Sequence, residues 1–195
     1  MKKIFWISII VVIIIILGIF FVYFINNEQS SKINLSEVQE ITSKARSEKD
    51  VTICDTLPTR ETFVLDQVYP RDNCILYVAV DTKNIDLCEL FNYKDRKNGC
   101  LTDIAIVTKD PEICMKIVTN TPIEAERDSC LGRVASYASD VKICMRISHD
   151  IVKATCVQGI AFTEKNISLC EYIDSSLKSS IDNSSLREKC IQSIN

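Results

Sequence analysis

The sequence predicts an all-α fold: disulfide-stapled α-hairpin repeats, forming a short α-solenoid behind an N-terminal transmembrane helix. Three observations lead there. Ten cysteines follow residue 50 at steps of 20, 14, 12, 14, 16, 14, 12, 14 and 20 residues, so every second step is 14. Asp or Asn stands four residues before every second cysteine, where a helix N-cap belongs. An unbroken apolar run of 22 residues, Ile4 to Ile25, follows Lys2 and Lys3.

Residues 1–27 read as the anchor. About 20 apolar residues span a bilayer as a helix. A cleaved signal has a shorter apolar region and a small-residue cleavage site. This run ends instead in Phe20, Phe21, Tyr23 and Phe24. Flanking lysines hold the N-terminus in the cytoplasm, so the chain beyond residues 4–25 is expected outside, as a single-pass protein of the cell membrane. Trp6 and Tyr23 fall where interfacial aromatics are favoured.

Residues 28–49 read as a linker and a capping helix. Asn34-Leu35-Ser36-Glu37 has the form of a capping box. Leu35, Val38, Ile41 and Ala45 then form one apolar stripe at helical spacing.

Residues 50–195 read as five hairpins. In the first arm, helix A, Asp50, Asn84, Asp110, Asp140 and Asn166 precede Cys54, Cys88, Cys114, Cys144 and Cys170 by four residues. An aliphatic residue stands one before each of these cysteines, and Leu57, Phe91, Ile117, Ile147 or Ile173 three after. In the second arm, helix B, a base stands three before each of Cys74, Cys100, Cys130, Cys156 and Cys190: Arg71, Lys97, Arg127, Lys153 and Arg187. Aliphatic residues follow at offsets one and four, and Ala79, Ala105, Ala135 and Ala161 at five, tracing one helical stripe. Thr121–Glu124 and Ser185–Glu188 have the form of capping boxes, and Asp95 and Asp150 are candidate caps of two further B helices. The alanine always lies five residues before the next N-cap, so a constant B-to-A joint explains the fixed step of 14. The capping helix obeys the same spacing through Ala45 and Asp50, with Glu40 at the cysteine position. It is a half repeat, as terminal units of repeat proteins often are.

Two pairings join neighbours. One links A to B within a hairpin: Cys54–Cys74, Cys88–Cys100, Cys114–Cys130, Cys144–Cys156 and Cys170–Cys190. The other links B to the next A, and strands Cys54 and Cys190. The first uses all ten and is preferred, although spacing alone does not prove connectivity. Helices of this length are marginal alone, and closing a loop of about 15 residues contributes about 3 kcal/mol.

Chemistry is sparse. No two cysteines are closer than 12 residues, which does not suit zinc ligation or a C-x-x-C redox centre. No metal or cofactor is expected. His149, the only histidine, lies in Ser148-His149-Asp150, and adjacent residues do not assemble a catalytic triad. The net charge of −3 without a basic block argues against nucleic acid as a partner. Of three N-x-Ser/Thr sequons, at Asn34, Asn166 and Asn183, the first two double as helix caps and Asn183 is the glycosylation candidate. The recurring bases read as rungs of ion pairs or as solvated charge, with a groove for an anionic ligand as the alternative. Function is expected at positions that do not recur, including Asp55, Glu89, Met115, Met145 and Glu171, with Lys116, Arg146 and Tyr172 beside them.

The pattern Asp/Asn-x-x-Ile/Leu-Cys, loop, Arg/Lys-x-x-Cys, then Ala resembles the cysteine-bearing α-hairpin repeats of archaeal-type extracytoplasmic proteins over residues 50–195. The likeness implies architecture alone. The plan is also similar to tetratricopeptide solenoids, without their Trp, Gly and Tyr positions. The functional expectation is a non-catalytic binding or scaffolding module with a protein partner. The alternatives are a thiol or redox accessory of the envelope and a structural spacer in a membrane complex.

Overall fold

The computed structural model describes residues 34–59, 61–62, 67–119, 124–180 and 183–194. The expected anchor at residues 4–25 lies outside them, as do Thr121–Ile123 of one expected capping box. Among the described residues, no helix is long and apolar enough to cross a membrane. The chain divides into two compact units, Met1–Glu40 and Ile41–Asn195, and the packing below belongs to the second.

Helix α1 spans Leu35–Glu48. Asn34 opens it by accepting the Ser36 backbone N–H at 3.2 Å. Ala45 of its stripe is fully buried, whereas Leu35 is exposed. The A arms are short, of one or two turns. Three are 3₁₀ helices, η1 (Val51–Thr56), η2 (Ile85–Leu90) and η3 (Ile167–Tyr172). The other two, α4 (Pro111–Cys114) and α6 (Val141–Cys144), are one α-turn each. The B arms are α2 (Pro70–Thr82), α3 (Lys94–Thr108), α5 (Ala125–Ala138), α7 (Asp150–Glu164) and α8 (Leu186–Ile194). Each B helix packs on the next, and each A turn packs on the B helices before and after it where both exist.

The five expected N-caps hold. Asp50, Asn84, Asp110, Asp140 and Asn166 each accept the backbone N–H two residues on. The expected caps Asp95 and Asp150 of two B helices do not. Tyr93 and His149 occupy those cap positions without a side-chain bond, while Asp95 and Asp150 lie inside the first turn. The cap positions fall one or two residues before the acidic residues, which face the positive end of the helix dipole instead. Glu124 also caps nothing, and pairs with Arg127 at 2.6 Å.

The constant joint is a Schellman-like turn. The N–H of each N-cap bonds the carbonyl of the alanine five residues back: Asp50 to Ala45, Asn84 to Ala79, Asp110 to Ala105, Asp140 to Ala135 and Asn166 to Ala161. The residue between is left-handed, with φ of 52–57°, and is never glycine: Lys49, Lys83, Lys109, Ser139 and Lys165.

All ten cysteines are paired within hairpins, as preferred above, with Cα–Cα distances of 5.7–5.8 Å whatever the loop length. The core runs along the B stripes. Ile75, Leu101, Leu131 and Val157 at offset one, and the four alanines, are at most 3% exposed. They meet Leu57, Phe91, Ile117, Ile147 and Ile173 from the A turns, all buried. The two longest loops each double back. Glu61–Thr62 (β1) and Gln67–Val68 (β2) pair antiparallel in the first, and Lys178 bridges Ser185 in the last. These short pairings add a β component to the all-α expectation.

Candidate binding surface

The recurring bases are absorbed by structure. Arg71 pairs with Asp55 at 2.7 Å and Lys97 pairs with Glu89. Arg127 reaches Glu124 and the Ile117 carbonyl, Lys153 reaches Asp150, and Arg187 donates to the Ile173 carbonyl at 2.7 Å. Asp55, Glu89 and the backbone of Glu171 are thereby partners of helix B, not free surface. Lys116 is exposed. Arg146 ties its A turn to the previous one through Glu112 at 2.8 Å. Met115 and Met145 are 44% and 41% exposed, and Tyr172 is also exposed.

The His149 side chain is exposed, and the Ser148 hydroxyl donates to Glu124 at 3.2 Å. All ten cysteines are disulfide-bonded. Among the described residues, no three His, Cys, Asp or Glu side chains are grouped to hold a metal. Asn183 is exposed with φ 57°, but Ser185, whose hydroxyl completes its sequon, is 5% exposed.

A buried polar row escaped the sequence reading. It stands two residues before three of the B cysteines, with Asp72, Asn98 and Asp128 exposed by 1–7%; the fourth copy has the buried Ala154 and the fifth the exposed Glu188. Asp128 accepts the Ser148 and His149 backbone N–H groups, both at 2.9 Å. A side chain of α5 therefore satisfies the orphan donors at the start of α7. Asn98 meets a longer loop, where a carbonyl faces it. Its Nδ2 donates to the Val118 carbonyl at 3.3 Å and to Glu126 at 2.8 Å. Its Oδ1 is buried without a hydrogen-bond partner among the described residues. The signal in the sequence was a polar residue inside an otherwise apolar stripe.

Ion pairs brace the first three seams between successive long helices. Arg46 of α1 pairs with Asp81 of α2 at 2.6 Å and lies over the Tyr77 ring. The hydrogen bond and charge of Asp81 hold the Arg46 guanidinium above its ordinary pKa. Arg96 of α3 reaches Asp72 of α2 at 3.5 Å, and Arg133 of α5 reaches Asp103 of α3 at 3.4 Å. Among the described residues, no ion pair spans α5 and α7.

That seam opens into an apolar groove of about 430 Å³. Tyr137 of α5 and Ile151 and Val152 of α7 wall it, and Gly132 and Gly159 line it. These three apolar side chains are 38–65% exposed. A sister groove of about 330 Å³ lies between α3 and α5, lined by Asn98, Gly99, Thr102 and Ile117 among others. Ser129 and Arg133 line both grooves and so form the ridge between them. At the helix B offset that carries Tyr77, Asp103 and Arg133, α7 has Gly159. Gly159 thus supplies no side chain to brace this seam.

Comparison with family models, with curated proteins and with solved structures finds no match.

Proposed function

We propose that this chain is a membrane-anchored, extracytoplasmic binding or scaffolding module with a protein partner and no catalytic role. The observation that carries this reading is the α5–α7 groove, an open apolar surface on a scaffold whose recurring positions are otherwise used by caps, joints and disulfides. Apolar grooves of a few hundred Å³ are common recognition sites. The helical repeat plan supports it, since stacked hairpins present extended surfaces. Ten disulfide-bonded cysteines suit an oxidising, extracytoplasmic setting. The apolar run at residues 4–25 supports the single-pass anchor. Kinship with archaeal-type extracytoplasmic hairpin repeats belongs to the same proposal and rests on the cysteine ladder.

The test is purification of the full chain from mildly cross-linked, solubilised membranes. A protein recovered in stoichiometric amount supports the module. Recovery of the chain alone, together with thiol–disulfide exchange activity that disappears in cysteine variants, supports the redox alternative and overturns this reading.

A further inference from the structure

Resting on the reading of the chain as a binding module, we propose that the two grooves flanking Arg133 jointly dock one helical segment of a partner protein. The segment carries two bulky apolar side chains two turns apart and a carboxylate between them.

The glycines point to an occupant. Three of the chain's four glycines, Gly99, Gly132 and Gly159, stand inside B helices and line these grooves. Glycine is a poorer helix former than alanine. A Cβ added at Gly99 or Gly159 meets nothing within 4 Å, and at Gly132 only the Ile147 Cδ1 at 3.9 Å. Packing within the chain therefore does not require glycine at these positions. Where the backbone does favour glycine, at the left-handed joints, the chain places lysine or serine. Glycine in an open helix face allows another backbone or a large side chain to approach closely.

Arg133 sets the charge of the occupant. It lines both grooves, its side chain is 52% exposed, and its one ion pair among the described residues, with Asp103, is long at 3.4 Å. A guanidinium has five donors, so capacity remains for a second carboxylate.

Geometry sets the spacing. Packed helices lie about 8–10 Å apart, so grooves on either side of α5 are separated by about that distance. On a helix, residues seven apart share a face and are separated by about 10.5 Å at a rise of about 1.5 Å per residue. A carboxylate three or four residues along falls opposite the Arg133 ridge.

The experiment uses the full chain in lipid nanodiscs and a labelled helical peptide with leucines seven apart and glutamate midway, read by fluorescence anisotropy. A second peptide carries lysine in place of glutamate. The glutamate peptide is expected to saturate the chain and bind at least tenfold tighter than the lysine peptide. Arg133→Glu should invert that preference, and Gly159→Leu should weaken binding at least tenfold with the circular dichroism unchanged. Gly99→Leu provides an independent block should Gly159→Leu fail to fold. Absence of saturable binding, or equal binding of both peptides, overturns the proposal. So does binding of phosphatidylcholine vesicles that Gly159→Leu abolishes without any peptide binding, which assigns the groove to lipid. A partner that co-purifies equally with the wild-type chain and with Gly159→Leu overturns this inference and leaves the module reading standing.

Discussion

The carboxylate of Asp128 accepts the backbone N–H of His149 at 2.9 Å, so a buried side chain of one B helix begins the next. A second bond, from the Ser148 N–H, completes the arrangement. Hydrogen bonds to a charged group contribute about 1.5–3 kcal/mol each, and buried donors left unpaired are costly. Asp128→Ala is expected to destabilise the chain by roughly 3 kcal/mol in chemical denaturation followed by circular dichroism. Asp128→Asn keeps one acceptor and should lose about half as much. Equal stability of Asp128→Ala and wild type would show that α7 starts without this contact.

The joints and the grooves make opposite predictions for glycine. A non-glycine residue in the left-handed region costs about 1–2 kcal/mol. Lys83→Gly is therefore expected to stabilise by up to about 1 kcal/mol, the gain being offset partly by greater freedom of the unfolded chain. Gly159→Ala places a methyl group in open space. It is expected to stabilise by about 1 kcal/mol through helix propensity. Thermal unfolding of both variants checks the pair. Destabilisation by Gly159→Ala would mean that an internal contact requires glycine there.

An N-cap contributes about 1 kcal/mol. Asp140→Ala should destabilise by that amount and free the Lys142 N–H that it now accepts at 2.9 Å. Hydrogen exchange at Lys142 reads the local effect, and unchanged protection there would contradict the assignment.

Two carboxylates give a pH signature. Bonds from the Thr52 hydroxyl and backbone N–H hold Asp50 below its ordinary range, and the Ser176 backbone N–H does the same for Asp174. A depressed folded pKa means that the folded state binds fewer protons than the unfolded chain. The contribution is therefore complete above the ordinary carboxylate value of about 4, and fades as pH falls through the folded values. Urea midpoints should be insensitive to these two groups between pH 5 and 7 and fall below about pH 4. Asp50→Asn should fall less steeply, and an identical acid slope would contradict the role of Asp50.

The chain discloses its frame because the frame repeats. The stripe of Ile75, Val78 and Ala79 recurs in four copies, and the alanine-to-cap interval is constant. The left-handed lysines recurred too, nine residues after B cysteines at Lys83, Lys109 and Lys165. Lysine carries no preference for positive φ, so local chemistry did not flag them. Asp150 misled because the chain ahead of α7 is met through space by Asp128 of the preceding helix, which a linear reading does not see. The grooves were illegible for the same reason: Gly132 and Gly159 lie 27 residues apart and face one another only once the hairpins stack.

Each hairpin is closed on itself, and only a stapled pair of such short arms holds the B helices at a fixed spacing for the seams between them to bind. Peptide mapping of the full chain without reduction tests this most directly. The expected result is five links, including Cys88–Cys100 and Cys144–Cys156, and no free thiol. A link from Cys74 to Cys88, or two or more reactive thiols in the native chain, would contradict it.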